Sequence, residues 1–377
     1  MGTVLAHDLI HDGLVELTRD GHAVTMRSVT SGQATAYLSR GWFDVQINGF
    51  AGHDVNAGGL GPDGFAAMTR ALHAEGVARY LPTVVTASVD HMGACLAAVT
   101  AARRADPAVA FAVLGIHLEG PFVSPEDGAR GAHPLAAVRD PDPAVFDDLQ
   151  ARADGAIRIV TLAPERPGAL ELISYLAGHG IVVSIGHSLA DAAVVHEAAG
   201  AGARLSTHLG NGLPATLPRH PNLLWAQLAD DRLHASMIFD GHHLPEDTMR
   251  VFLRAKGPER TILTSDAVAL ARCHPGVYEG QVGGTVELHD SGRLTMVGTP
   301  YLAGSASSLA DAMSTATGRL GVPVADAARM VTEVPRGLLW LDAADDATVF
   351  RVEGGRVVPV WTVVDGRVVY AREGHAS

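Results

Sequence analysis

Short apolar runs rich in Val, Ile and Leu recur along the chain from Gly41 at intervals of roughly 25 residues. Ala-rich segments with helical spacing of their apolar positions separate these runs, as in DGFAAMTRALHAEG from Asp63. The alternation indicates repeated strand–helix units, and eight such units close into a barrel. The eight runs begin at Gly41, Arg79, Ala112, Ala156, Gly180, Ala203, Leu233 and Thr261.

The two ends of the chain follow a different pattern. Residues 1–40 and 346–377 alternate Val with polar residues, and EGGR and VDGR interrupt the second stretch as hairpin turns would. We therefore expect an α/β fold with a (β/α)8 TIM-like barrel over residues 41–345. A small β-sandwich, built from segments 1–40 and 346–377, is expected to accompany it. The sequence pattern of residues 309–341 predicts helices between the last barrel strand and the β structure at the end of the chain.

Composition narrows the function classes. A chain of 377 residues with 47% hydrophobic residues can bury a core of this size. Its net charge of -13, without a basic cluster, argues against nucleic acid or an anionic membrane as the main partner. No signal peptide or long apolar span is evident, and Cys95 and Cys273 are too far apart for a thiolate motif. We expect a cytoplasmic protein that binds a small molecule.

Polar residues collect where the predicted strands end. In a parallel barrel the loops after the strands form the large concavity, so reactive groups belong there. A single polar residue at a strand end would be unremarkable, but several together predict a site. The residues at these ends are Gln46, Asn48, Glu119, His187, His208, Asp240, His243 and Asp266.

Glu119, His187 and His208 are the candidate metal ligands. One carboxylate and two imidazoles suit zinc or a similar divalent ion and leave a position for water, although iron, manganese and cobalt could accept the same set. Asp266 is the candidate acid/base, because a carboxylate beside the metal can take a proton from the attacking water. The alternatives are three hydrogen-bonded core residues and, for Asp266, a helix cap.

Several segments resemble the N-acetylglucosamine-6-phosphate deacetylase family of the amidohydrolase superfamily. They are GWFDVQINGFAGHDVN, GIHLEGPF followed by GAH, SIGHS, THLGN, DGHH, TSDA and LAGSASSL. The resemblance implies hydrolysis of N-acetylglucosamine 6-phosphate to glucosamine 6-phosphate and acetate, with Glu119, His187 and His208 as ligands and Asp266 as acid/base. Gln46 and Asn48 stand where many superfamily members carry His-x-His, which implies a single metal ion.

The resemblance also implies the remaining site residues. His133 would polarise the acetyl carbonyl, and Arg219 would grip the phosphate, from a neighbouring subunit in a homodimer. The other implied substrate-binding residues are Ala132, Asn211, Gly212, His243 and Leu302.

One motif departs from the family pattern. The chain reads THLGNGL where the family commonly reads THLFNAM, which implies the loss of an aromatic side chain beside the sugar. N-acetylgalactosamine 6-phosphate, or another N-acyl amine, therefore stays open as the substrate. A non-catalytic barrel that binds sugar phosphates is the remaining alternative.

Overall fold

The computed structural model describes residues 2–281, 284–342 and 344–372. Its strands, numbered in chain order, are β1 (Gly2–Asp8), β2 (Gly13–Asp20), β3 (Ala23–Val29), β4 (Ala36–Arg40), β5 (Trp42–Ile47), β6 (Gly49–Phe50), β7 (His53–Asp54), β8 (Val77–Val85), β9 (Ile116–Glu119), β10 (Ile157–Leu162), β11 (Val182–Ile185), β12 (Ala203–Ser206), β13 (His234–Ile238), β14 (Thr261–Thr264), β15 (Gly276–Gln281), β16 (Gly284–Leu288), β17 (Leu294–Met296), β18 (Ala347–Glu353), β19 (Arg356–Val364) and β20 (Arg367–Ala371).

The predicted eight-stranded barrel is confirmed. Strands β5 and β8–β14 pair in chain order, and each neighbouring pair is parallel. Each strand overlaps one of the eight apolar runs. The first and last strands meet through a parallel bridge between Ile47 and Ala267, which closes the sheet. All strand carboxyl ends therefore open at the same mouth.

Helices cover the outside of this barrel. Side-chain caps begin six of them, because Ser88, Asp106, Asp142, Asp191, Asn222 and Ser308 each accept a hydrogen bond from a first-turn backbone N–H. The helices are α1 (Pro62–Ala74), α2 (Val89–Ala105), α3 (Pro107–Ala112), α4 (Pro143–Arg152), α5 (Ala169–Gly178), α6 (Ala192–Ala201), α7 (Leu223–Ala229), α8 (Glu246–Lys256), α9 (Leu309–Ser314), α10 (Val324–Met330) and α11 (Glu333–Leu338). A 3-10 turn spans Leu135–Ala137, and a π-helical turn spans Thr315–Arg319. No helix in the described part of the chain has the length and apolarity needed to cross a bilayer.

The chain ends form one small β unit, as the alternating pattern predicted. Strands β1–β4 and β18–β20 make a seven-stranded sheet that closes on itself, so the two halves of the expected sandwich are continuous. Gly354–Gly355 and Asp365–Gly366 form the predicted turns, each with positive φ at both residues. The proposed boundary at residues 40/41 falls between β4 and β5, and the one at 345/346 precedes β18. Residues 1 and 373–377 of the proposed segments lie outside the described residues.

A buried ion network joins this terminal sheet to the base of the barrel. Asp346, just before β18, accepts two hydrogen bonds from Arg79 at 2.7 and 2.8 Å and one from Arg336 at 2.8 Å. All three side chains are buried. The two arginines hold the pKa of Asp346 below its ordinary value, although burial alone would raise it. Such a buried carboxylate needs both partners to offset its desolvation.

An additional sheet between the last barrel strand and α9 was not predicted. Strands β15–β17 form a three-stranded antiparallel sheet between the last barrel strand and α9. Leu270, Val286, Leu288 and Leu294 form its apolar core with residues at the barrel mouth. This insertion places the LAGSAS segment beside the mouth, since Ser305 pairs with Ala267 in a parallel bridge.

Candidate active site at the barrel mouth

Three side chains from neighbouring strands converge on one point. Glu119 is the last residue of β9, whereas His187 and His208 lie two residues beyond β11 and β12. The Nε2 atoms of His187 and His208 are 3.1 and 3.0 Å from Glu119 Oε1, and 3.1 Å from each other. All three residues are buried. A single ion with ligand distances of roughly 2 Å can span donors at this spacing.

The hydrogen bonds around His187 fix which nitrogen faces this point. Its Nδ1 donates to the carbonyl of Ala129 at 2.9 Å, so in the neutral ring Nε2 carries a lone pair. That lone pair faces a carboxylate oxygen, an arrangement that a cation between them stabilises. Burial alone would raise the pKa of Glu119, but His187 and His208 hold that pKa well below its ordinary value. The donor set therefore fits a divalent metal ion.

The site residues after the strands share an unusual backbone conformation. His187, His208 and Asp266 have φ angles of 50°, 29° and 49°, in the left-handed region that non-glycine residues seldom occupy. Such strain persists only where surrounding contacts enforce it, and it is frequent at functional sites. Here it turns each side chain into the mouth two residues after its strand ends.

Two glycines approach the His187 ring closely near its Nδ1 and Cε1 atoms. A Cβ built on Gly212 would lie 2.8 Å from His187 Nδ1, and one on Gly131 would lie 3.3 Å from His187 Cε1. Both glycines also have positive φ, 60° and 58°. Backbone this close to the imidazole leaves no room for a side chain at residue 212.

Gly212→Ala is therefore expected to weaken metal binding about 10-fold or more, because the new methyl group displaces the His187 ring. The matched control is Gly180→Ala, since Gly180 has φ of 73° but a Cβ there meets no atom within 4 Å. The control should lose about 1 kcal/mol of unfolding free energy and no metal affinity. Competition with a chelator measures the affinity; equal affinities in the two variants would contradict the prediction.

Asp266 lies two residues beyond β14 and next to the ligand cluster. Asn48 Nδ2 donates to Asp266 Oδ1 at 2.6 Å. Burial, and then the neighbouring charge of Glu119, raise the pKa of Asp266 to about 7. A divalent cation at Glu119 would offset that repulsion and lower the pKa again. The proton affinity of Asp266 therefore depends on the charge beside it.

The first barrel strand orients both carboxylates. Gln46 Nε2 donates to Glu119 Oε2 at 3.1 Å, which leaves Oε1 for the two histidines. Asn48 makes the corresponding contact to Asp266. The predicted site residues Gln46 and Asn48 are thus brought to the site as hydrogen-bond donors to its acidic groups.

His133 lies beside the ligand cluster. Its ring centroid is 4.2 Å from that of His187, and the rings are inclined by 77°. Glu119, His133 and His187 offer donor atoms that all lie within 4.8 Å of one another. Burial, and then the charge of His187, lower the pKa of His133 to about 3, so its imidazole is neutral and carries one N–H. The adjacent Ala132 is exposed at the mouth.

The remaining predicted substrate residues lie at different distances from this cluster. Asn211 donates from its backbone N and its Nδ2 to the His208 carbonyl at 2.9 and 3.1 Å, and it lines a cavity with His187 and Gly212. His243 Nδ1 bonds to Asp240 Oδ2 at 2.7 Å, and its Nε2 has no hydrogen-bond partner among the described residues. Leu302 is half-buried and bridges to Thr295.

Arg219 is exposed on the loop before α7, and no described contact joins it to the ligands.

The departure at position 210 lies two residues beyond His208 of the ligand cluster. Gly210 has φ of 95°, and a Cβ there would lie 2.8 Å from Phe252 and 2.9 Å from Leu244. The side-chain direction at this position is thus toward α8. The Phe252 ring lies in the direction in which a side chain at position 210 would point.

Asp44 is a buried carboxylate that the sequence analysis did not select. It accepts hydrogen bonds from Gln46 N at 3.2 Å, Thr264 Oγ1 at 2.6 Å and Ser265 N at 3.1 Å. It therefore joins β5 to the turn that presents Asp266. Its spacing was an available signal, because Asp44, Gln46 and Asn48 fall at alternate positions on one strand face.

Comparison with known proteins gives a consistent group of relatives. No family model matches the chain. It is 34% identical over 275 residues to N-acetylglucosamine-6-phosphate deacetylase from Bacillus subtilis, covering 72% of this chain and 67% of the relative. It is 33% identical over 306 residues to N-acetylgalactosamine-6-phosphate deacetylase from Escherichia coli O157:H7, covering 81% and 78%.

A solved structure extends the likeness over nearly the whole chain. It is a variant of N-acetyl-D-glucosamine-6-phosphate deacetylase from Mycobacterium smegmatis in complex with N-acetyl-D-glucosamine-6-phosphate. It superposes with a TM-score of 0.83 at 27% identity and covers 98% of this chain and 100% of its own. Sequence and fold therefore lead to the same group of enzymes.

Proposed function

Because this chain belongs to the N-acetylglucosamine-6-phosphate deacetylase family of the amidohydrolase superfamily, we propose that it hydrolyses N-acetylglucosamine 6-phosphate to glucosamine 6-phosphate and acetate. The observation that carries the proposal is the convergence of Glu119, His187 and His208 beside Asp266. A barrel that only binds sugar phosphates would have no use for this complete set. The protein is thus a metal-dependent enzyme acting on an amide C–N bond.

Glu119, His187 and His208 would hold one divalent ion. We propose zinc, since one carboxylate and two imidazoles form a ligand set that it commonly takes in hydrolases, with iron, manganese or cobalt as possible substitutes. When bound, such an ion acidifies water and polarises the acyl oxygen. Gln46 keeps Glu119 oriented through the hydrogen bond from its Nε2 to Glu119 Oε2.

The proposed chemistry depends on two further residues. Asp266 accepts a proton from the attacking water and then gives it to the leaving amine nitrogen, so the sugar departs as a neutral amine. His133 is neutral and donates its remaining N–H to the oxygen of the acetyl group as negative charge develops there. Asn48 holds Asp266 through Oδ1, which leaves Oδ2 for proton transfer.

The sugar and phosphate contacts are assigned by position. Ala132, Asn211, Gly212, His243 and Leu302 are proposed to line the sugar site, and Arg219 to bind the phosphate. Because Arg219 is exposed on its loop, it is available to the site of a second copy, which supports a homodimer.

A cytoplasmic location fits a sugar-phosphate substrate, whose charge keeps it from crossing membranes. N-acetylgalactosamine 6-phosphate is the second candidate substrate, because the relative that acts on it is matched over 78% of its length.

The test is acetate release from three compounds: N-acetylglucosamine 6-phosphate, its galacto epimer and unphosphorylated N-acetylglucosamine. We expect the first to be the best substrate. Arg219→Ala should lower kcat/KM for the phosphorylated sugars by about 100-fold, because a charge-assisted contact is lost, and leave the unphosphorylated sugar unaffected. Arg254→Ala, on the exposed face of α8, is the control. Preference for the galacto epimer would select the second candidate, and no acetate from any compound would reject both.

A further inference from the structure

Glu165 lies in the loop after β10, three residues beyond the strand. Its two oxygens bind the two residues that directly follow the metal ligand His187. Ser188 Oγ donates to Oε2 at 2.7 Å, and the backbone N of Leu189 donates to Oε1 at 2.6 Å. Ser188 Oγ in turn accepts from the backbone N of Ala190 at 3.0 Å. Glu165 therefore fixes the turn through which the chain leaves His187.

This turn has to be fixed because His187 is strained. Its φ of 50° is costly for a residue with a Cβ, and its ring lies closely against Gly131 and Gly212. In the peptide group that follows it, the His187 carbonyl accepts from Ser124 N at 2.9 Å. On the following side, Ser188 N donates to the Gly212 carbonyl at 3.2 Å. The charged contact from Glu165 is the shortest of those that hold the following side.

We propose that Glu165 is a positioning residue that keeps His187 Nε2 aimed at the metal. It contacts neither the ion nor the reacting atoms, and it acts through the Ser188–Leu189 backbone. This inference rests on the proposed role of His187 as a ligand. Residues that orient a metal ligand in this way contribute strongly to metal affinity.

The test compares metal affinity in three variants by titrating metal-free protein with zinc against a chromogenic chelator. Glu165→Ala removes both hydrogen bonds and should weaken binding about 10-fold to 100-fold. Glu165→Gln should stay within about 3-fold of wild type, because its amide oxygen accepts from Leu189 N and its NH2 donates to the rotatable Ser188 hydroxyl. Glu171→Ala, exposed in the first turn of α5, is the matched control and should bind as wild type does.

A second readout separates positioning from general loosening. The visible absorption of the cobalt-substituted protein reports ligand geometry and should change in Glu165→Ala but not in Glu165→Gln. If Glu165→Ala does not fold, Ser188→Ala carries the test, with a loss of roughly 3-fold to 10-fold. Wild-type affinity in Glu165→Ala, or in Ser188→Ala where that variant carries the test, would overturn the inference. Equal losses in Glu165→Ala and Glu165→Gln would overturn it as well. If wild-type protein itself takes up no ion, the proposed function fails instead.

Discussion

Asp266→Asn is expected to lower kcat/KM by about 100-fold to 10,000-fold while the protein still binds one divalent ion. The amide has the shape of the carboxylate but cannot accept a proton from water. It can still take the hydrogen bond from Asn48, now 2.6 Å from Oδ1, with its amide oxygen. The local structure should therefore survive and only proton transfer should be lost.

Steady-state acetate release and metal content per subunit, measured on the same preparations, check this prediction. Asp63→Asn is the control, because Asp63 is exposed in the first turn of α1. A variant that loses the ion together with its activity would make Asp266 a ligand rather than the base. A variant with nearly full activity would transfer the base role to another group.

The surroundings of Asp266 support this assignment. Burial and the charge of Glu119 raise its pKa, whereas His208, His243 and the Asn48 hydrogen bond lower it. A base is most effective when its pKa lies near the working pH, because it is then both ionised and able to hold a proton. A cation at Glu119 reduces the first repulsion, so the ion and the base are electrostatically linked.

The barrel and its central cluster could be predicted because both depend on local pattern. Each apolar run marks one strand, and parallel strands bring their carboxyl ends to one mouth. Glu119, His187, His208 and Asp266 all fall within two residues of a strand end, so counting along the sequence brings them together.

The residues that were missed act through contacts that sequence spacing does not reveal. Glu165 meets Ser188 and Leu189 across neighbouring strands of the barrel. The spacing of Asp44 on β5 marked it as a candidate, but its partners Thr264 and Ser265 lie 220 and 221 residues along the chain. The β15–β17 sheet lacks the recurring strand–helix period, so the sequence pattern did not predict it. The tertiary fold, rather than local propensity, determines these features.

Glu119→Gln is expected to weaken metal binding by about 1,000-fold or more and to abolish turnover with it. Glu119 Oε1 is the common neighbour of both histidine Nε2 atoms, at 3.0 and 3.1 Å. Removing its charge leaves two neutral imidazoles to hold the ion. Gln46 adds a second effect, since its Nε2 donates to Oε2 and favours the amide oxygen of the new side chain there. The new NH2 group then faces the histidines and repels a cation.

Thermal unfolding with and without added zinc measures this loss independently of activity. An ion that binds only the folded protein stabilises it by about 2.7 kcal/mol at 100 times its dissociation constant. Wild type and the control Glu126→Gln, whose side chain is exposed, should show that stabilisation, and Glu119→Gln should not. An unchanged response in Glu119→Gln would place the ion away from Glu119. Because Glu119 is the proposed ligand and also carries a charge that raises the pKa of Asp266, the ion and the base would then have to be assigned anew.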